Sequence, residues 1–197
     1  MNFTFKHIDE FCVATRESPI PATQGQIFKI DGRYMAVANW KDNKVSFVTK
    51  VGSWLDGFNK DTYEFQGPLG NGFKSHDAPK AIVVAGGTGI GAAIHLMNAR
   101  KQDQETHLLF YSRTEPCYSR IATMLGAVPH LSTITHWNTK AKGRPSKPLD
   151  LLRVRSDWKY DFPNTHIFVI GPKSLVDAVR EQCKELGVPD ENFHLNY

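Results

Sequence analysis

A short apolar run, Ala81-Ile82-Val83-Val84-Ala85, leads straight into Gly86-Gly87-Thr88-Gly89-Ile90-Gly91-Ala92-Ala93. Glycine lets a backbone turn tightly and approach a pyrophosphate closely, and a helix starting there presents free N–H groups and a partial positive charge to it. The chemistry this offers is nucleotide binding. The spacing Gly87-x-Gly89-x-x-Ala92 fits the looser G-x-G-x-x-G/A form, while a plain strand-to-helix turn is the competing reading of the same residues.

Other chemistries find less support. Cys12, Cys117 and Cys183 lie far apart with no C-x-x-C pair, which argues against zinc, an iron–sulfur cluster or a disulfide framework. No metal site is expected. There is no G-x-x-x-x-G-K-[ST] loop and no H-E-x-x-H. Histidines such as His107 and His166 are scattered and read as structural. The net charge of +4 is modest, and its densest run, Lys140-Ala141-Lys142-Gly143-Arg144-Pro145-Ser146-Lys147, reads as a solvated loop or as a docking or phosphate contact. No interleaving of aromatic and basic residues suggests nucleic acid. The Met1–Lys6 stretch lacks the apolar run of a secretory signal, and no segment approaches the length of a membrane span, so a cytoplasmic protein is expected.

These residues need elements to position them. The first third carries short β-branched and aromatic runs separated by turn residues, which predicts strands at 2–8, 26–30, 34–39, 44–50 and 62–66. Asp31-Gly32 and Asp42-Asn43 are the turns between neighbours. From Pro79 the rhythm becomes strand then helix. Strands are expected at 81–85, 107–111, 132–136, 166–170 and 193–197, and helices at 89–100, 116–125, 149–156 and 173–186. Nearly all-apolar strands such as Ile167-Phe168-Val169-Ile170 suggest burial on both faces, as in a parallel sheet covered by helices. The expectation is a small antiparallel β-barrel over 1–75, followed by an α/β domain over 76–197 with a five-stranded parallel sheet.

Three segments in order carry a family resemblance: Gly67-Pro68-Leu69-Gly70-Asn71-Gly72-Phe73, Ala85-Gly86-Gly87-Thr88-Gly89-Ile90, and Ile170-Gly171-Pro172 before a helix. Together they resemble ferredoxin–NADP reductase-like flavoproteins, and the first looks like electron-transfer subunits of the dihydroorotate dehydrogenase type. The resemblance implies an FAD-binding barrel joined to a domain that binds NADP or NAD. Hydride would pass between nicotinamide and flavin, and electrons would leave to a carrier protein or partner redox subunit. It also implies roles for particular residues. Gly86, Gly87, Thr88 and Gly89 would shape the turn against the nicotinamide nucleotide, and Gly171 and Pro172 would close the opposite side. Ser112 and Arg113, at the end of a strand, could meet a 2′-phosphate; alternatively Arg113 is a surface arginine paired with Glu115. Tyr197 would stack on the isoalloxazine ring until nicotinamide displaces it, or else cap the sheet.

The family's flavin signature is Arg-x-Tyr-Ser or Arg-x-Tyr-Thr, and here the segment reads Arg33-Tyr34-Met35-Ala36. Aligning Arg33 loses the tyrosine and hydroxyl positions, and keeping Tyr34 loses the arginine. A one-residue slip also exchanges the faces of a strand. Gly52 and Ser53 resemble the element whose following helix would hold the FAD pyrophosphate, with a turn and helix cap as the alternative. Two functions remain open at this point: an NAD(P)H-dependent flavin oxidoreductase, or a flavin-free nucleotide-binding or assembly subunit of a redox complex.

Overall fold

The computed structural model describes residues 3–55, 62–74, 76–114, 118–127, 133–154 and 161–196. Its first part holds β1 (Thr4–Ile8), β2 (Phe11–Glu17), β3 (Ile27–Ile30), β4 (Arg33–Ala36), β5 (Asn39–Lys41), β6 (Lys44–Lys50) and β7 (Phe65–Leu69). They form two antiparallel sheets, ordered β1-β2-β6-β5 and β4-β3-β7. Asp31-Gly32 and Asp42-Asn43 all take positive φ, as two-residue hairpin turns require. Between the sheets Phe3, Phe28, Phe47 and Phe65 pack edge-on and stacked around Ala14, Ile30, Val37 and Val45.

The strand expected at 62–66 is displaced to Phe65–Leu69, and two larger details differ from the sequence-based expectation. β2 was not anticipated. Its residues Phe11 to Ala14 are buried on both faces, because Ala14 joins the inter-sheet core while Phe11 and Val13 pack beneath the second half of the chain. The single strand expected at 34–39 is two strands in different sheets. The Val37 N–H donates to the Gln26 carbonyl before β3, and the next N–H, from Ala38, donates to Ser46 in β6. The chain therefore changes sheets at one dipeptide, which is how such a structure turns a corner.

The second part contains β8 (Lys80–Gly86), α1 (Ile90–Ala99), β9 (Glu105–Ser112), α2 (Tyr118–Met124), β10 (Thr133–Asn138), α3 (Thr139–Lys142), β11 (His166–Ile170), α4 (Lys173–Glu185) and β12 (Phe193–Leu195). All five strands are parallel, in the order β10-β9-β8-β11-β12. The order reverses between β8 and β11, and ligands of such sheets bind outside the strand ends at that point. The helix expected at 149–156 is a run of 3-10 turns over Pro148–Val154, and α3, held by Asn138 capping Lys140 and Ala141, was not expected.

The two parts share one core. Every residue of α1 from Ile90 to Met97 is buried, so its apolar character runs all round, as befits a helix enclosed on every side. It packs on Ala38 and Val48 from one part and on β8 and β11 from the other. A Cβ on Gly91 would lie 2.7 Å from Val48 Cγ2 and 2.9 Å from Ala38 Cβ, so glycine sets the closeness of this contact.

His95 sits in the same seam. Burial lowers its pKa to about 4, against a hydrogen bond to the Val37 backbone that pulls it upward. Its folded-state pKa thus lies below the unfolded value. The stabilisation is complete above pH 6.5 and is lost as pH falls from there towards 4, by about 3 kcal/mol in all. His95→Gln keeps an N–H donor but cannot titrate. Denaturant melts should show the stability gap between the natural chain and this variant shrinking by about that amount between pH 7 and pH 4. An unchanged gap would show that His95 does not set the acid limit.

Candidate dinucleotide site

A cavity of about 1050 Å³ opens between the carboxyl edge of the parallel sheet and the antiparallel sheets. That is at the upper end of ordinary ligand clefts, which run to roughly 1,000 Å³. Its floor is the glycine turn. β8 ends at Gly86, a 3-10 turn covers Gly87–Gly89, and α1 begins at Ile90.

The glycines there have separate reasons. Gly87 has φ +55°, and a Cβ on it would meet nothing within 4 Å, so it supplies the turn and borders open space. Gly86 is a packing position, since its Cβ would fall 2.8 Å from Leu175 Cδ2 and 3.0 Å from Pro172 Cδ. At Gly89 a Cβ would fall 2.3 Å from the Ile170 carbonyl oxygen. Close approach of helix and strand is what brings Gly86 to Thr88 and Gly171-Pro172 together on one cavity.

Of the residues singled out in the sequence, Tyr34, Gly86, Gly87, Thr88, Gly89, Ser112, Arg113, Gly171 and Pro172 line this cavity. Ser112 is buried. Its hydroxyl donates to the Thr114 carbonyl at 2.8 Å and meets His136 Nε2 at 2.7 Å, so it is already committed. Arg33, Gly52 and Ser53 are not in the lining. The Arg33 guanidinium lies over the Trp54 ring, 5.1 Å from its centre, while Tyr34, its neighbour on the other face of β4, borders the cavity. Ser53 Oγ is 2.6 Å from Thr49 Oγ1, and its N–H donates to Lys50 O, closing a turn through Val51-Gly52. The helix expected after Ser53 and the residues Glu115 and Tyr197 lie outside the described residues; Asn196 does line the cavity.

The structure adds residues that motif reading passed over. Glu10 and Lys50 stand on the cavity wall, 3.8 Å apart, and Glu10 also accepts from Thr114 Oγ1 at 3.0 Å. Thr139 and Arg144 border the cavity beyond β10. Arg144 lay within the basic run, where a phosphate contact was one reading. Nothing in the sequence separated it from the neighbouring lysines.

The Gly-Pro-Leu-Gly-Asn-Gly-Phe segment works at the joint. A Cβ on Gly67 would lie 2.5 Å from the Phe28 ring, and one on Gly72 would lie 2.7 Å from Gln24 O. Phe73 then packs edge-on against Phe168 of β11, tying the antiparallel part to the sheet.

Comparison with known proteins agrees with this geometry. The family described as "Adenylate-forming reductase 03009, C-terminal domain" matches residues 78–190. The carnitine monooxygenase reductase subunit of Escherichia coli (strain K12) is 27% identical over 119 residues, which is 59% of this chain and 34% of that protein. The chain thus spans about a third of that relative. The electron transfer subunit of dihydroorotate dehydrogenase B (NAD(+)) from Clostridium perfringens (strain 13 / Type A) is 27% identical over 187 residues, 89% of this chain and 72% of that protein. Among solved structures, the ferredoxin reductase in carbazole 1,9a-dioxygenase (FAD apo form) superposes with a TM-score of 0.76 at 19% identity, covering 98% of this chain and 65% of that one. Through its residues 78–190 the chain belongs to the adenylate-forming reductase C-terminal domain family, and over nearly its whole length it has the ferredoxin reductase-like fold.

Proposed function

We propose that the chain is an NAD(P)H-dependent flavin oxidoreductase, with residues 1–75 holding FAD, residues 76–197 holding the nicotinamide nucleotide, and electrons leaving to a carrier protein or partner redox subunit. The observation that carries the reading is the continuity of one cavity from the glycine turn to the Tyr34 wall. Two cofactors that exchange a hydride must touch, and a shared cleft lets them do so.

The wall opposite the glycine turn fits a flavin ring. Ile27, Met35, Ala36, Val48 and Leu69 make it apolar, and Tyr34, 65% exposed, presents an aromatic face on which a ring can stack. Lys50 supplies a cation on the same wall for a flavin phosphate. Bound flavin supplies the redox chemistry, accepting a hydride and releasing electrons singly. The chain's own residues place the partners. Gly87 leaves the floor clear, Gly171 and Pro172 bound the nicotinamide side, and Ile170 keeps that corner apolar and short of water.

The test is the visible spectrum after incubation with FAD and desalting. Flavin bands retained at about one per chain support the reading. A colourless protein that cannot be reconstituted contradicts it and favours a flavin-free nucleotide-binding or assembly subunit, the reading that Arg33's position over Trp54 supports.

A further inference from the structure

We propose that the chain carries a second ligand site, apart from the cofactor cavity, between the Gly70-Asn71-Gly72 loop and β12, and that it takes a small organic acid: a carboxylate on a compact apolar body. The inference does not depend on the flavin or the nucleotide reading.

A cavity of about 320 Å³ opens there, at the lower end of the range for ligand pockets. Among the described residues it shares Asn196 alone with the cofactor cavity. Its two walls are joined by a row of rings. Phe73, which follows the glycine loop, packs edge-on against Phe168 with ring centres 5.4 Å apart, and Phe168 stacks on His194 of β12 at 4.6 Å. His194 Nε2 lies 2.8 Å from His166 Nδ1, with the two imidazoles in one plane, so a hydrogen bond holds the far end of the row. The loop is pinned as well. Gln26 Nε2 donates to Gly70 O at 2.9 Å, and the Phe73 N–H donates to Gln24 O at 2.8 Å. The cavity is therefore built before a ligand arrives, which keeps the ordering cost of binding low.

Its polar groups are not spent within the fold. The side chains of Asn71, Lys74 and Asn196 line it, and none of the three makes a hydrogen bond or ion pair among the described residues. No acidic side chain stands in the described lining, so Lys74 sets the sign of its charge. His194 adds none at neutral pH, because burial, and then the neighbouring His166, lower its pKa to about 4. A carboxylate suits the Lys74 ammonium, and the two carboxamides offer donors to it and both donors and acceptors to a second polar group. Phe193 and Leu195, both half-buried, give apolar surface for the remainder of the molecule. A bare inorganic anion would leave that surface and most of the volume unused.

NMR titration of the intact, ¹⁵N-labelled chain with benzoate, benzamide and inorganic phosphate tests the assignment, with neither flavin nor coenzyme added. Benzoate should shift the backbone amides of Gly70 to Gly72 and the Asn71 and Asn196 carboxamides, and should bind at least about tenfold more tightly than benzamide or phosphate. Lys74→Ala should weaken benzoate by about tenfold or more, and Lys74→Arg should recover part of the loss. Lys74 is exposed, so both variants are expected to melt like the natural chain. The site is overturned by any of four results: no benzoate binding, shifts confined to Gly86, Gly87 and Thr88, phosphate binding as tightly as benzoate, or unchanged benzoate affinity in Lys74→Ala. Each leaves the flavin-retention result untouched, so the second site and the proposed function fail separately.

Discussion

Gly89→Ala is expected to destabilise the chain by about 3 kcal/mol or more and to abolish nucleotide binding, although it adds one methyl group. The new Cβ would sit 2.3 Å from the Ile170 carbonyl oxygen and 2.9 Å from its carbon. These are backbone atoms of the strand that carries Gly171 and Pro172, so no rotamer change can relieve the contact. The start of α1 must lift away from β11, and the two sides of the cavity floor separate. Gly87→Ala provides the control. It meets nothing within 4 Å, and its strain is confined to φ +55°, for about 1 kcal/mol. Urea melts of both variants distinguish the cases. Similar small losses would show that the helix and strand do not depend on their close approach.

Arg100→Met is the second large effect, expected to cost about 3–5 kcal/mol and to lower Tm by roughly 10 °C. Arg100 is 2% exposed. Its guanidinium donates from Nε to Thr106 Oγ1 at 2.6 Å, from Nη1 to His76 O at 2.7 Å, and from Nη2 to Ala78 O at 2.9 Å and Glu105 O at 3.1 Å. Burial lowers its pKa to about 10 while Asp77 raises it, so it stays charged at neutral pH. One side chain thus fixes the segment entering β8 to the start of β9. Methionine fills much of the volume but leaves the carbonyls without donors, and unsatisfied buried acceptors are what make the loss large. A calorimetric Tm within about 2 °C of the natural chain would contradict this.

The parallel half was legible because its strands are buried on both faces and read as continuous apolar runs, as in Ile167–Ile170, whose strand, His166–Ile170, has the expected bounds. β2 was hidden for a related reason. Its two faces enter different cores, so no polar alternation marks it. The break at Val37-Ala38 leaves no trace in composition, because it is a change of hydrogen-bonding partner rather than of residue type. The cavity's glycine floor followed from a local motif, whereas Arg144 required the course of a loop over the sheet edge. Arg33 and Tyr34 posed a question of strand face that only the backbone answers: Tyr34 borders the cavity and Arg33 packs on Trp54.

The central claim, that one cleft brings a nicotinamide coenzyme against a flavin, is tested most directly by adding NADPH without oxygen to the FAD-loaded chain. The visible flavin absorption should bleach in proportion to NADPH added and return when air is admitted. Retained flavin that neither NADPH nor NADH can reduce would contradict the account.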